Sequence, residues 1–144
     1  MYSASRSDVR TLFISDVHLG SKYCNPKPLI ELLLNVCPEH VYLVGDICDG
    51  WILRRNWLWN RDSESFVETL GKLERKGSRI TYLLGNHDRC LQRWVSEWGN
   101  FWVGEKCIHT LTDGRKLLLI HGDQFDRTQI KFSSAAAFTA RIHE

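Results

Sequence analysis

Asp16 and His18 stand two apart in FISDVHLGS (13–21), directly behind an apolar run and just ahead of a glycine. A carboxylate and an imidazole so placed could ligate one divalent cation, or the aspartate could simply open and cap a loop. The pattern returns three times. Gly45-Asp46-x-x-Asp49 follows HVYLV, Gly85-Asn86-His87-Asp88 follows RITYLL, and His121-Gly122-Asp123 follows KLLLI. Taken singly, each has an ordinary reading: Asn86-His87-Asp88 as an Asx turn, His121 as a satisfied core histidine. Four in order, each at the end of an apolar run, point instead to donors that converge. Carboxylate, imidazole and amide oxygen suit hard and borderline cations such as Mn²⁺, Fe²⁺ or Zn²⁺, and the lack of thiolate at these points disfavours a structural cysteine-zinc site. Two cations at roughly 3.5–4 Å need a shared anionic ligand, and Asp46, behind Gly45, is the candidate bridge.

The elements that must hold these residues are legible in the same text. TLFIS (11–15), HVYLVG (40–45), RITYLLG (79–85) and KLLLIHG (116–122) are short, apolar, partly β-branched runs that stop at glycine or a polar cluster, as buried strands do. Between them, PLIELLLNV (28–36) opens on Pro28, and DSESFVETLGKLERKG (62–77) carries acids early, bases late and Gly77 at its end; both read as helices. Strands alternating with helices make βαβ units and a parallel sheet, whose ligands gather beyond the carboxyl ends of the strands. The rhythm then changes. KCIHTLTDGRKLLLIHG (106–122) reads as two antiparallel strands around a two-residue type I′ turn at Asp113-Gly114. Trp94 and Trp98 recur at helical spacing and read as core.

The ordered clusters resemble those of the calcineurin-like metallophosphoesterases, whose motifs run D-x-H, G-D-x-x-D, G-N-H-D or E, then G-H or H-G-D. The likeness extends to the UDP-2,3-diacylglucosamine diphosphatase branch through TLFISDVHLGS, residues 42–59, LLGNHD and LLLIHGDQFD, and it covers residues 10–126. It implies an α/β fold of two sheets packed face to face with helices outside, an αββα four-layer sandwich. It also implies that Asp16 and His18 bind a first metal, that Asp46 bridges, and that Asn86 and His121 bind a second, with Mn²⁺ the expected ion and Fe²⁺ or Zn²⁺ the alternatives. His87 becomes the catalytic residue, a proton donor or charge stabiliser for phosphoryl oxygens during in-line attack by a metal-activated hydroxide. Asp49 and Asp88 are expected to orient the histidines or the loop, and Asp123 to make a loop hydrogen bond.

On the substrate side, DGWILRRNWLWN (49–60) follows the bridging aspartate. Arg54 and Arg55 could pair with a diphosphate bidentately or form a solvated face. Trp57 and Trp59 could wall a base or an acyl chain, or cover the sheet edge; Trp51 is expected in the core. The expected substrate is a nucleotide-sugar lipid diphosphate, with a less specific phosphodiesterase or phosphatase as the alternative and a non-catalytic remnant as a third reading.

One motif departs from the family. The closing G-H-x-H has no counterpart, because His40 and His109 read as structural and His143 as solvated. Each metal would lack one imidazole. The expectation is therefore a single domain over 1–144, incomplete at its C-terminal side as a truncated or frame-disturbed product or a deliberate fragment, with 127–144 a divergent tail and, if the natural chain ends at Glu144, activity weak or absent. At 144 residues and 43% hydrophobic content the chain can bury one core. A net charge of +2 gives no field that argues for nucleic acid, so no such partner is expected. Five cysteines without a C-x-x-C pair, a polar N-terminus and no bilayer-length apolar run favour the cytoplasm, with peripheral contact at the inner membrane face for a lipid substrate. Oligomeric state leaves no mark on the sequence.

Overall fold

The protein is described by a computed structural model covering residues 9–125. The tail 127–144 and His143 lie outside the described residues. Strands β1 (Thr11–Ile14), β2 (His40–Val44), β3 (Arg79–Leu83) and β4 (Trp102–Gly104) form one parallel sheet in the order β1-β2-β3-β4. Because the order advances without reversal, crossovers of one hand fall on one face of the sheet. Helices α1 (Lys27–Val36) and α3 (Arg61–Arg75) pack on each other there, and α3 packs on β3.

Register explains which side chains meet them. Leu12, Val41 and Ile80 align across the sheet, as do Ile14, Leu43 and Tyr82, and these rows join Leu33, Phe66, Leu70 and Leu73 in the core. Phe66, Leu70 and Leu73 are spaced to lie on one stripe of α3 and are fully buried, each contributing about 1.5–3 kcal/mol. That helix starts where Asn60 Oδ1 accepts from the Ser63 amide (2.9 Å) and ends with Lys72 and Arg75 at its negative pole. Pro28 falls within the first turn of α1, as its fixed φ allows.

On the opposite face lie Phe13, Tyr42 and Thr81, aligned by the same register. A second, two-stranded sheet of β5 (Lys106–Thr110) and β6 (Lys116–Ile120) covers part of that face. His109 sets its ring edge-on to Phe13 and Tyr42, and its Nδ1 lies 3.1 Å from the Tyr42 hydroxyl. The α/β class and the facing sheets agree with the expectation; helix, parallel sheet and antiparallel ribbon are the layers present among the described residues.

Two local expectations need correction. The hairpin does not turn through two residues: the Leu111 amide donates to Arg115 O (2.8 Å) and the Gly114 amide to Leu111 O (3.0 Å), enclosing a three-residue connection. Gly114 takes φ +84°, the left-handed residue that such a connection requires. Strand β4 was not anticipated, because three residues behind a tryptophan-rich run carry no period-2 signal of their own. Among the described residues no helix is long and apolar enough to cross a membrane, and all five cysteines are unpaired.

Candidate metal centre

Beyond the carboxyl ends of β1 and β2 the chain segments continue side by side. The amides of Asp16, His18 and Leu19 donate to the carbonyls of Gly45, Asp46 and Ile47 (3.1, 3.0 and 2.8 Å), and the Asp49 amide returns a bond to Leu19 O (2.8 Å). This stitching comes at a conformational cost: Asp16, His18 and Asp46 all take positive φ, +55°, +53° and +55°. Left-handed backbone at a residue with a Cβ costs on the order of 1 kcal/mol or more, and such strain gathers at functional sites. Here it turns three candidate donors toward one space.

Glycines close the site from the other strands. A Cβ on Gly85 would strike Asp46 Oδ1 and lie 2.7 Å from the Asp46 amide nitrogen, and one on Gly45 would strike the His121 ring. Only glycine lets the loops after β2, β3 and β6 approach so closely.

Asp46 is the common element. Carboxylate and imidazole atoms of His18, Asp46 and His87 lie within 4.8 Å of one another, and so do those of Asp16, Asp46 and His121. This grouping pairs Asp16 with His121 and His18 with His87, whereas the family resemblance pairs Asp16 with His18. Asp46 is nearly buried, and its Oδ1 accepts from the His87 amide (2.9 Å). Asn86 precedes that amide in the same loop, half-buried.

The histidines show which nitrogen is available. His121 Nδ1 lies 3.1 Å from the Val44 carbonyl, which can only accept, so Nδ1 carries a hydrogen and Nε2 is turned toward Asp46 Oδ2, 3.3 Å away. His87 Nδ1 contacts Asp49 Oδ1 at 3.2 Å, which turns Nε2 toward Asp46 Oδ2, 3.9 Å away. Carboxylates, imidazoles with backbone- or carboxylate-held second nitrogens, and no thiolate form a donor set that fits divalent cations such as Mn²⁺.

Asp49 touches both candidate histidines, at 3.2 Å for His87 and 3.6 Å for His18 Nδ1, while also capping α2 (Gly50–Leu53) through the Ile52 amide (3.1 Å). Asp88 does something different. Fully buried, it accepts from the amides of Ile47 (2.9 Å) and Gly85 (2.6 Å) and from the Tyr82 hydroxyl (2.8 Å), so it ties the loops after β2 and β3 rather than holding a histidine. Burial pushes its carboxyl above the ordinary value, against the pull of these three bonds. Asp123 pairs with Arg89 at 3.0 Å, joining the β6 loop to the β3 loop.

Arg54, Arg55 and Trp57 lie on the exposed stretch after α2. Trp57 leans on Trp59 and Trp94 with its own ring more than half exposed, while Trp59, Trp94 and Trp98 pack against the core. Trp51 corrects the expectation of core packing: it is 48% exposed and stacks on His87. Tyr82 was also missed, since a tyrosine inside an apolar strand carries no sign that its hydroxyl meets Asp88.

Parallel strands ending in carboxylates and histidines around one buried aspartate agree with the family match. The chain belongs to the calcineurin-like phosphoesterases, whose family model matches residues 9–140. It is 30% identical over 142 residues to UDP-2,3-diacylglucosamine hydrolase of Aliivibrio fischeri (strain MJ11), covering 92% of this chain and 54% of that protein. It is also 27% identical over 110 residues to the DNA double-strand break repair protein Mre11 of Nanoarchaeum equitans (strain Kin4-M), covering 69% of this chain and 26% of that one. The crystal structure of Pseudomonas putida nuclease MPE superposes with a TM-score of 0.49 at 23% identity, covering 69% of this chain and 50% of that one. The chain thus spans about half the length of the Aliivibrio relative.

Proposed function

We propose that this chain carries a two-cation phosphohydrolase site directed at the diphosphate of a nucleotide-sugar lipid of the UDP-2,3-diacylglucosamine kind. The observation that carries the reading is Asp46, whose carboxylate belongs to both donor groups and lies 3.3 Å from His121 Nε2. In this reading Asp16, His18, Asp46, Asn86 and His121 hold two divalent cations, Mn²⁺ foremost, with Asp46 shared. Bound there, such ions supply Lewis acidity to phosphoryl oxygens and lower the pKa of water.

The chain's own groups do the rest. His87 Nε2 faces the Asp46 centre and contacts a phosphoryl or leaving-group oxygen; Asp49 fixes the other nitrogen of that ring. Arg54 and Arg55 offer fork-shaped donors to the diphosphate, and Trp57 offers an apolar wall. With a lipid substrate the working location is the cytoplasmic face of the inner membrane, reached peripherally.

The test is incubation of the Mn²⁺-loaded chain with a UDP-diacylglucosamine analogue. UMP release, weakened in affinity by Arg55→Ala at unchanged metal content, supports the reading. Hydrolysis of simple phosphodiesters or DNA without UMP release favours a broader phosphodiesterase, the reading to which similarity with Mre11 points.

A further inference from the structure

We infer that Trp51 is a positioning residue for His87, the indole acting as a plate against which the imidazole is held with Nε2 aimed at the Asp46 centre; this rests on the phosphohydrolase reading. The two ring centroids are 3.8 Å apart with planes 28° from parallel. On another side the His18 ring meets His87 edge-on, at 4.7 Å and 87°. Asp49 Oδ1 holds Nδ1 at 3.2 Å, and the His87 amide is fixed by Asp46. Between them these contacts leave Nε2 a single direction.

How the indole comes to lie there is a property of the preceding residue. The Gly50 amide donates to the His87 carbonyl (3.1 Å), and a Cβ at Gly50 would strike that same oxygen. Only glycine lets the first turn of α2 lie flat against the β3 loop, and the next side chain then falls on the imidazole. Burial does not explain the choice of tryptophan, because nearly half of its surface stays in water. An exposed aromatic that contributes little to the core but covers one face of a ring whose Nε2 lies 3.9 Å from the Asp46 carboxylate has a more specific role. Without it, the ring keeps the 3.2 Å contact to Asp49 and the edge of His18 but loses the plate against its face. Misplacement of a reacting group by about 1 Å can cost on the order of 10²-fold in rate.

Two measurements test this, and they separate the positioning claim from the phosphohydrolase reading. In the metal-free protein, histidine-selective NMR, with His87 assigned through His87→Gln, is expected to show its ring protons displaced upfield by the indole and one tautomer, hydrogen on Nδ1. Trp51→Leu should abolish the displacement and mix the tautomers, while Trp51→Phe retains both features. Unchanged His87 signals in Trp51→Leu would overturn the inference whatever the activity. In the Mn²⁺-loaded protein, hydrolysis of bis(p-nitrophenyl) phosphate by Trp51→Leu should lose kcat on the order of 10²-fold with KM and bound Mn²⁺ unchanged, and Trp51→Phe should restore most of it. A raised KM at constant kcat would make Trp51 a substrate wall, and lost Mn²⁺ would make it a structural support; either outcome overturns the inference. If the wild-type protein does not turn over at all, the phosphohydrolase reading fails, and the NMR result alone decides the positioning claim.

Discussion

At the residue scale, the site depends on carboxylates whose acceptor oxygens are already taken up by fixed donors and have little room to change. Asp88 is the sharpest case: both carboxylate oxygens receive donors, so an amide would turn its NH₂ toward a backbone N–H or the Tyr82 hydroxyl. Asp88→Asn is therefore expected to destabilise the fold by about 1–3 kcal/mol, measured by urea unfolding, even though it removes a buried charge. Unchanged stability would show that the loops after β2 and β3 do not depend on this carboxylate. Much of this was readable beforehand, since Asp16, His18, Asp46 and His121 each follow an apolar strand. Asp88 was legible only as orienting the histidines or the loop, and Trp51 was misread as core. Their roles depend on contacts with residues distant in sequence, Ile47 for one and His87 for the other, and no local spacing encodes these.

At the element scale, the β3 and β6 loops come from different sheets and are joined by Arg89 with Asp123 at 3.0 Å. Arg89→Ala should loosen the His121 side of the centre and weaken Mn²⁺ binding by about 10-fold or more, as loss of orienting partners does; competition with a chelator measures it, and an unchanged constant would detach the ion pair from the site. The contact between sheets gives a second expectation. His40, stacked on Tyr42 and 2.9 Å from the Thr81 hydroxyl, is held to a pKa of about 4 by burial, with Arg79 and His109 adding to the fall. A depressed imidazole pKa means the unfolded chain takes the proton first. Stability should thus be undiminished above about pH 6.5, decline by about 1–2 kcal/mol toward pH 4 after allowance for solvent screening, and level off below. His40→Gln should flatten that slope in denaturant titrations across this range. An identical slope in the variant would assign the pH dependence to other groups. Strands β1 to β3 and helices α1 and α3 were legible because period and end signals agreed. The hairpin turn and β4 were not, because the turn is settled by the pairing of Thr110 with Lys116 and the short strand by its neighbour β3.

At the scale of the whole molecule, the sheet order brings helices to one face and the ribbon to the other, so that β1, β2, β3 and β6 all release their chains toward one edge. That convergence is what the motif order foretold, and it is why four individually weak signals could be read together. Which donors group around Asp46 is not encoded by sequence spacing, because His121 joins Asp16 and His87 joins His18 from loops distant in the chain. In the proposed centre both cations depend on the one carboxylate of Asp46. The most direct measurement is calorimetric and EPR titration of Mn²⁺ into the wild-type chain and Asp46→Asn, with circular dichroism confirming the fold of both. The prediction is two bound ions with a spin-coupled signal in the wild type and loss of both sites together in the variant; retention of either site in Asp46→Asn would contradict it.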